Sequence, residues 1–230
     1  MFNSRLNHSQ EFQERKIISF SVFIKEYKRL RELFRLSRQA RTHIVPSVSF
    51  YKGIRDGVAY WDIETEKNKI SVFYTLYGVN VNSKKDNYIV HVDSFLFYKK
   101  WLEDTVVNKR NRSTNCLIKE EMHLDEKFHK AANILEKVGC VVPLAKVTIT
   151  KVYGKERIFF NDGVTRTFWL LFNNALSFPI CVDGKDNAYK LHHFVGIGDE
   201  PISCQNLLNS VNGEYEKFLK NRAEIEKFNI

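Results

Sequence analysis

Apolar residues in this chain recur with two different periods, and the switches between them mark out its elements. Phe23, Ile24, Tyr27, Leu30, Leu33 and Phe34 follow one another at three- and four-residue intervals. That spacing predicts an amphipathic helix running through Arg41, its apolar stripe packed under the sheet that follows. Period two then takes over. Residues 43–54, 58–65 and 70–81 alternate, with turns at Arg55-Asp56-Gly57 and Glu66-Lys67-Asn68-Lys69, and a fourth strand covers 88–92. Asp-Gly and Lys/Asn-rich turns between β-branched and aromatic runs predict an antiparallel meander.

The middle of the chain returns to the helical period. Asp93 or Ser94 is placed to cap a helix reaching about residue 107, and 108–115 reads as a basic loop containing Lys109, Arg110 and Arg112. A helix over 124–138 ends at Gly139. A second β region follows, with strands at 141–153 and 156–160 on either side of Gly154-Lys155. Asn161-Asp162-Gly163 leads into another strand at 164–172, then one at 178–182 and a turn over 182–187. A charged helix over 206–228 closes the chain. The expected fold class is α+β: one domain over 1–230, built on a curved antiparallel sheet with N-terminal, central and C-terminal helices.

Composition adds constraints. The chain has 230 residues, 43% hydrophobic and 27% charged, so a packed core is expected. No apolar run approaches the ~20 residues that cross a bilayer. The first residues lack the apolar stretch of a signal peptide, so a cytoplasmic location is expected. Cys116, Cys140, Cys181 and Cys204 show no C-x-x-C spacing and are expected as free thiols rather than zinc ligands. No phosphate-cradling glycine motif appears, and no cofactor or metal is expected.

Charge points to an anionic partner. The formal net charge is +9, and residues 25–41 hold seven basic side chains against Glu26 and Glu32. Lys28, Arg29, Arg31, Arg35, Arg38 and Arg41 are expected to contact phosphates, which suits the bidentate guanidinium fork. Because the apolar stripe is assigned to packing, no membrane partner is expected.

Candidate chemistry sits in two places. Leu191-His192-His193-Phe194-Val195-Gly196-Ile197-Gly198-Asp199 puts imidazoles and a carboxylate beside glycines, the residue types of general base catalysis and cation stabilisation. Asp62 and Glu64 share a strand face near Lys67 and Lys69, a loose approximation of a metal-dependent nuclease pattern. A serine or cysteine hydrolase lacks any nucleophile elbow.

The order of a basic N-terminal helix, an aromatic meander, two helices, a second β section and a late histidine followed by aspartate resembles the PabI-type restriction DNA glycosylases, the half-pipe restriction enzymes. That resemblance implies a homodimer on a short palindrome in double-stranded DNA, flipping and excising adenine without a cofactor. It implies His193 (or His192) for the attacking water, Asp199 for the developing sugar cation, and a sheet tyrosine, Tyr60 or else Tyr74. Lys67 or Lys69 would capture the abasic aldehyde as an AP lyase. The family's histidine and aspartate stand closer together, and Val195 or Gly196 occupies that position here. Two alternatives stay open: a metal-dependent endonuclease using Asp62 and Glu64, and a non-enzymatic nucleic-acid-binding protein.

Overall fold

The computed structural model describes residues 3–47, 50–55, 58–75, 86–105, 115–137 and 139–209. All but the last residue of the expected loop over 108–115, and most of the expected C-terminal helix, lie outside these residues. The fold is α+β, as expected, with its strands shared between two sheets. Helix α1 (Asn3–Gln39) opens the chain. Strands β1 (Phe50–Arg55), β2 (Val58–Glu64) and β3 (Lys69–Thr75) form the predicted antiparallel meander. A short strand β5 (Val141–Pro143) joins it in parallel alongside β3.

The fourth predicted strand leaves this meander. β4 (Asn87–Asp93) enters a second sheet with β6 (Lys146–Val152), β7 (Lys155–Asp162), β8 (Ser177–Asp183) and β9 (Ile202–Ser203), in the order β7-β6-β8-β4-β9. Here β6 and β8 run parallel and the other pairs antiparallel. Tyr153 and Gly154, both at positive φ, make the tight β6–β7 turn that the Gly-Lys pair predicted.

Helix α2 (Ser94–Asp104) starts where the sequence placed it, since the Asp93 carboxylate accepts from the Phe95 and Leu96 amides. A 3-10 turn (Lys119–Leu124) precedes α3 (Phe128–Leu135), and Gly139 takes positive φ beyond it. The predicted strand at 164–172 is instead α4 (Val164–Phe172). Gly163 sits there at φ 90°, where an added Cβ would lie 2.6 Å from the Ala145 Cβ, so β7 stops and the chain turns inward. The Thr167 hydroxyl then donates to the Gly163 carbonyl, and the buried helix needs none of the polar face that would have revealed it.

Residues 191–195, the start of the imidazole-bearing stretch, end helix α5 (Lys185–Val195). A final helix, α6 (Cys204–Asn209), begins the predicted C-terminal one. The core gathers on α2, where Trp101 stacks on Phe168 at 4.9 Å and lies 4.4 Å from Phe160, with Phe97 against Phe178. All four cysteines are free, three of them buried. No helix among the described residues is long and apolar enough to cross a membrane.

Candidate functional site: the cleft under the first helix

The C-terminal half of α1 docks on the rest of the molecule through Leu36, which is buried, and Leu33, which is partly so. This corrects the expected stripe. Phe23, Tyr27, Leu30 and Phe34 face solvent, because the positions that meet the body lie roughly a third of the way round the helix from them.

Polar contacts complete the docking. Arg29 donates to the Leu102 carbonyl at 3.1 Å. Buried Glu32 accepts two hydrogen bonds from Arg35, at 2.7 and 2.6 Å, and one from the Tyr98 hydroxyl at 3.1 Å. The Tyr98 oxygen in turn accepts from the Lys119 amide. Burial pushes the Glu32 carboxyl up, yet the hydrogen bonds and charge of Arg35, with help from Tyr98 and Lys119, outweigh it and hold the group below its usual value. The Lys119 ammonium, hydrogen-bonded to Asn174, is pushed down chiefly by burial.

Between α1 and the 3-10 turn lies a cleft of about 880 Å³. Its walls carry four cations, Lys28, Arg31, Arg35 and Arg38, and three carboxylates, Glu32, Glu120 and Glu121. Lys28 is tied to Glu121 at 2.5 Å and Arg35 to Glu32. Arg31 and Arg38 meet no carboxylate among the described residues, and their guanidinium forks remain available for bidentate anion contacts.

A smaller pocket of about 310 Å³ adjoins it, with Arg35 and Gln39 in both walls. There His43 Nε2 meets Asp93 Oδ2 at 2.5 Å, and the His43 ring stacks on Phe95 at 4.5 Å. The same carboxylate caps α2, so the pair clamps the chain leaving α1 to the start of α2. The Ser94 hydroxyl lines this pocket, buried and without a hydrogen-bond partner among the described residues. Sequence reasoning found Asp93 as a cap but missed His43, fifty positions away, for which no local signal exists.

The predicted catalytic residues are distributed over separate elements. Tyr60 is half-buried on β2 beside Phe73, while Tyr74 accepts a hydrogen bond from Asn87. Lys67 pairs with Glu136 at 2.5 Å and Lys69 with Asp62 at 3.4 Å. His192 and His193 occupy the last turn of α5, and Asp199 is exposed three residues beyond its cap at Gly196. The His192 ring lies so close to Gly196 that an added Cβ would come within 2.3 Å. Among the described residues, no hydrogen bond, ion pair or ring contact joins Tyr60, Lys67 or Lys69 to His192, His193 or Asp199.

The endonuclease alternative fares no better. Asp62 is engaged by the Ser71 hydroxyl at 2.6 Å, and no three His, Cys, Asp or Glu side chains gather as a metal site among the described residues. Of the six expected phosphate contacts, Lys28, Arg29 and Arg35 are committed to carboxylates, while Arg31, Arg38 and Arg41 are exposed.

Comparison with known proteins gives a different likeness. The sequence profile described as "PFIN: Plasmid Fertility inhibition factor" matches residues 89–196, the stretch from β4 to the end of α5. The chain is 32% identical over 127 residues to Protein osa of Shigella flexneri, a match spanning 55% of this chain and 65% of that protein. It is also similar to the crystal structure of Oncogenic Suppression Activity Protein, a plasmid fertility inhibition factor. There the TM-score is 0.67 at 25% identity, over 81% of this chain and 95% of the other.

These findings correct the resemblance to PabI-type restriction DNA glycosylases. Adenine excision, AP lyase chemistry and restriction all fall with it, as do the roles it lent to Tyr60, Lys67, Lys69, His192, His193 and Asp199. The endonuclease reading of Asp62 and Glu64 falls too. The order of elements that suggested the resemblance counted 164–172 as a strand of the second β section, where the chain forms α4.

Proposed function

We propose that this protein is a plasmid fertility inhibition factor, one that lowers conjugative transfer of a plasmid out of the cell that makes it. One observation carries this reading: most of the chain shares its fold, at 25% identity, with nearly all of a protein of that description. The profile match over 89–196 agrees with it. The cleft under α1 is the surface assigned to partner contact. Arg38 in its wall and the exposed Arg41 just beyond the end of α1 offer guanidinium groups to an anionic polymer, and double-stranded DNA is the partner proposed. The palindrome that had motivated a homodimer drops out of the argument.

The test is a mating assay. Donors carrying conjugative plasmids of several incompatibility groups are compared with and without this protein, and transfer of at least one plasmid is expected to drop by an order of magnitude or more. Unchanged transfer across the panel sinks the reading. DNA contact is read separately, by anisotropy of a labelled duplex across a salt series. Affinity is expected to fall as salt rises. Arg38→Glu/Arg41→Glu is expected to weaken binding, and equal binding by this variant would remove the cleft from the account.

A further inference from the structure

Helix α1 leaves a row of large apolar side chains uncovered. Phe20, Phe23, Tyr27, Leu30 and Phe34 are between 53% and 68% exposed, and their spacing is three, four, three, four. This is the a-d-a-d-a order of a heptad seam, confined to the narrow stripe of a coiled coil and turned away from the Leu33 and Leu36 face that meets the body. Isolated exposed apolar residues need no explanation, but a contiguous row of five marks an interaction surface.

We propose that α1 pairs with the α1 of a second copy of this chain in a parallel, in-register coiled coil. The flanking charges select this occupant and this direction. With Phe20, Tyr27 and Phe34 at a, and Phe23 and Leu30 at d, Glu26 falls at g and Arg31 at the e position five residues on. In a parallel pair, g of one helix faces that following e of the other, so Glu26 of each chain meets Arg31 of its mate twice across the dimer. An antiparallel pair would set e against e and bring Arg31 towards cationic neighbours. Arg31 has no carboxylate of its own among the described residues, so it enters such a contact uncommitted. Glu26 keeps Arg29 on its inner side, at 2.5 Å.

Size and clearance agree. Covering five such side chains on each helix removes on the order of 1,000 Å² from water, which is where specific interfaces begin. The seam and the body-facing side of α1 are roughly a third of a turn apart, so two bodies flank the paired helices without meeting across the axis. The proposal stands apart from the fertility-inhibition reading: either can fail while the other holds.

Sedimentation velocity on the full chain tests it. The protein is expected to run at twice its 27.1 kDa mass at tens of micromolar. Phe23→Glu/Leu30→Glu is expected to raise the dimer dissociation constant by at least about tenfold while leaving the melting of the body unchanged, since both positions face solvent. Arg31→Glu is expected to weaken the dimer, and Glu26→Arg/Arg31→Glu to restore it. For direction, Leu30→Cys in a Cys140→Ala background is expected to form an intermolecular disulfide on mild oxidation, because only parallel in-register helices bring a d position to its own copy. A monomeric wild type overturns the proposal, and so does a dimer untouched by the seam substitutions. A dimer that resists the Leu30→Cys cross-link overturns the parallel register. A monomer that sediments with vesicles of phosphatidylserine and phosphatidylcholine overturns it as well, assigning the seam to a lipid surface.

Discussion

Residues 89–196 bury most of their aromatic side chains, whereas α1 displays them. Trp101, Phe97, Phe160 and Phe178 are each no more than 2% exposed, while Phe20, Phe23 and Phe34 are above 60%. The two regions have similar taste in residues and opposite uses for them. In the first, rings stack on one another and fix the relative placement of α2, α4 and the second sheet. In the second, they wait for something outside the chain. The profile match falls on the first region, which is where packing constrains sequence most tightly. What this chain contacts is to be sought in the second.

The largest expected effect lies at the centre of the buried region. Trp101→Ala removes a ring in contact with Phe97, Phe160 and Phe168. It is expected to cost about 4 kcal/mol in a denaturant titration, the transfer term plus a cavity the neighbouring rings cannot close. A loss below about 1 kcal/mol would mean that this region tolerates repacking as freely as α1 does, and the contrast would go.

Next comes a pH effect, also confined to the buried region. His91 on β4 lies beside Trp61, its Nε2 buried without a hydrogen-bond partner among the described residues, and burial pushes its pKa down to about 4. In the unfolded chain the group titrates near 6.5. Between those values the unfolded state binds the extra proton, so stability is full above pH 6.5 and declines as pH falls towards 4. The loss reaches at most about 3 kcal/mol. Melting temperatures followed over that interval should drop for the wild type and drop less for His91→Gln. Parallel slopes would show that other groups govern the decline.

How much of this was legible beforehand follows the same division between local and distant causes. The Asp93 cap and the Gly154 hairpin are decided within a few residues of chain, and each was visible, whereas α3 stops at Leu135, short of the expected end at Gly139. Helix α4 was not, because Val164, Thr165, Thr167 and Phe168 have strand preferences that burial on every side overrode. The period of α1 was readable, but which of its faces meets the body is chosen by contacts with α2, so the seam was mistaken for core. The Glu32–Tyr98 hydrogen bond and the His43–Asp93 clamp join residues dozens of positions apart, with nothing in either neighbourhood to announce them. The cationic helix was legible as a count of charges, while the carboxylates that neutralise half of it come from Glu121 and from the helix itself.

The smallest expected effect is the one that joins the two regions. Glu32 is the buried carboxylate through which α1 holds Tyr98 on α2, and Arg35 balances its charge. Glu32→Gln keeps the shape but removes the charge, leaving Arg35 with a neutral amide. The expected cost is about 2 kcal/mol, within the range for hydrogen bonds to charged groups. The cost should fall on docking rather than on the core, since Trp101, Phe160 and Phe168 keep their contacts. Amide exchange is the measurement that distinguishes the two. Faster exchange in residues 25–40, with protection in β4 and β8 unchanged, is the expected pattern. Uniform acceleration would mean that the helix and the body unfold as one unit, and that the division between them is one of composition and not of stability.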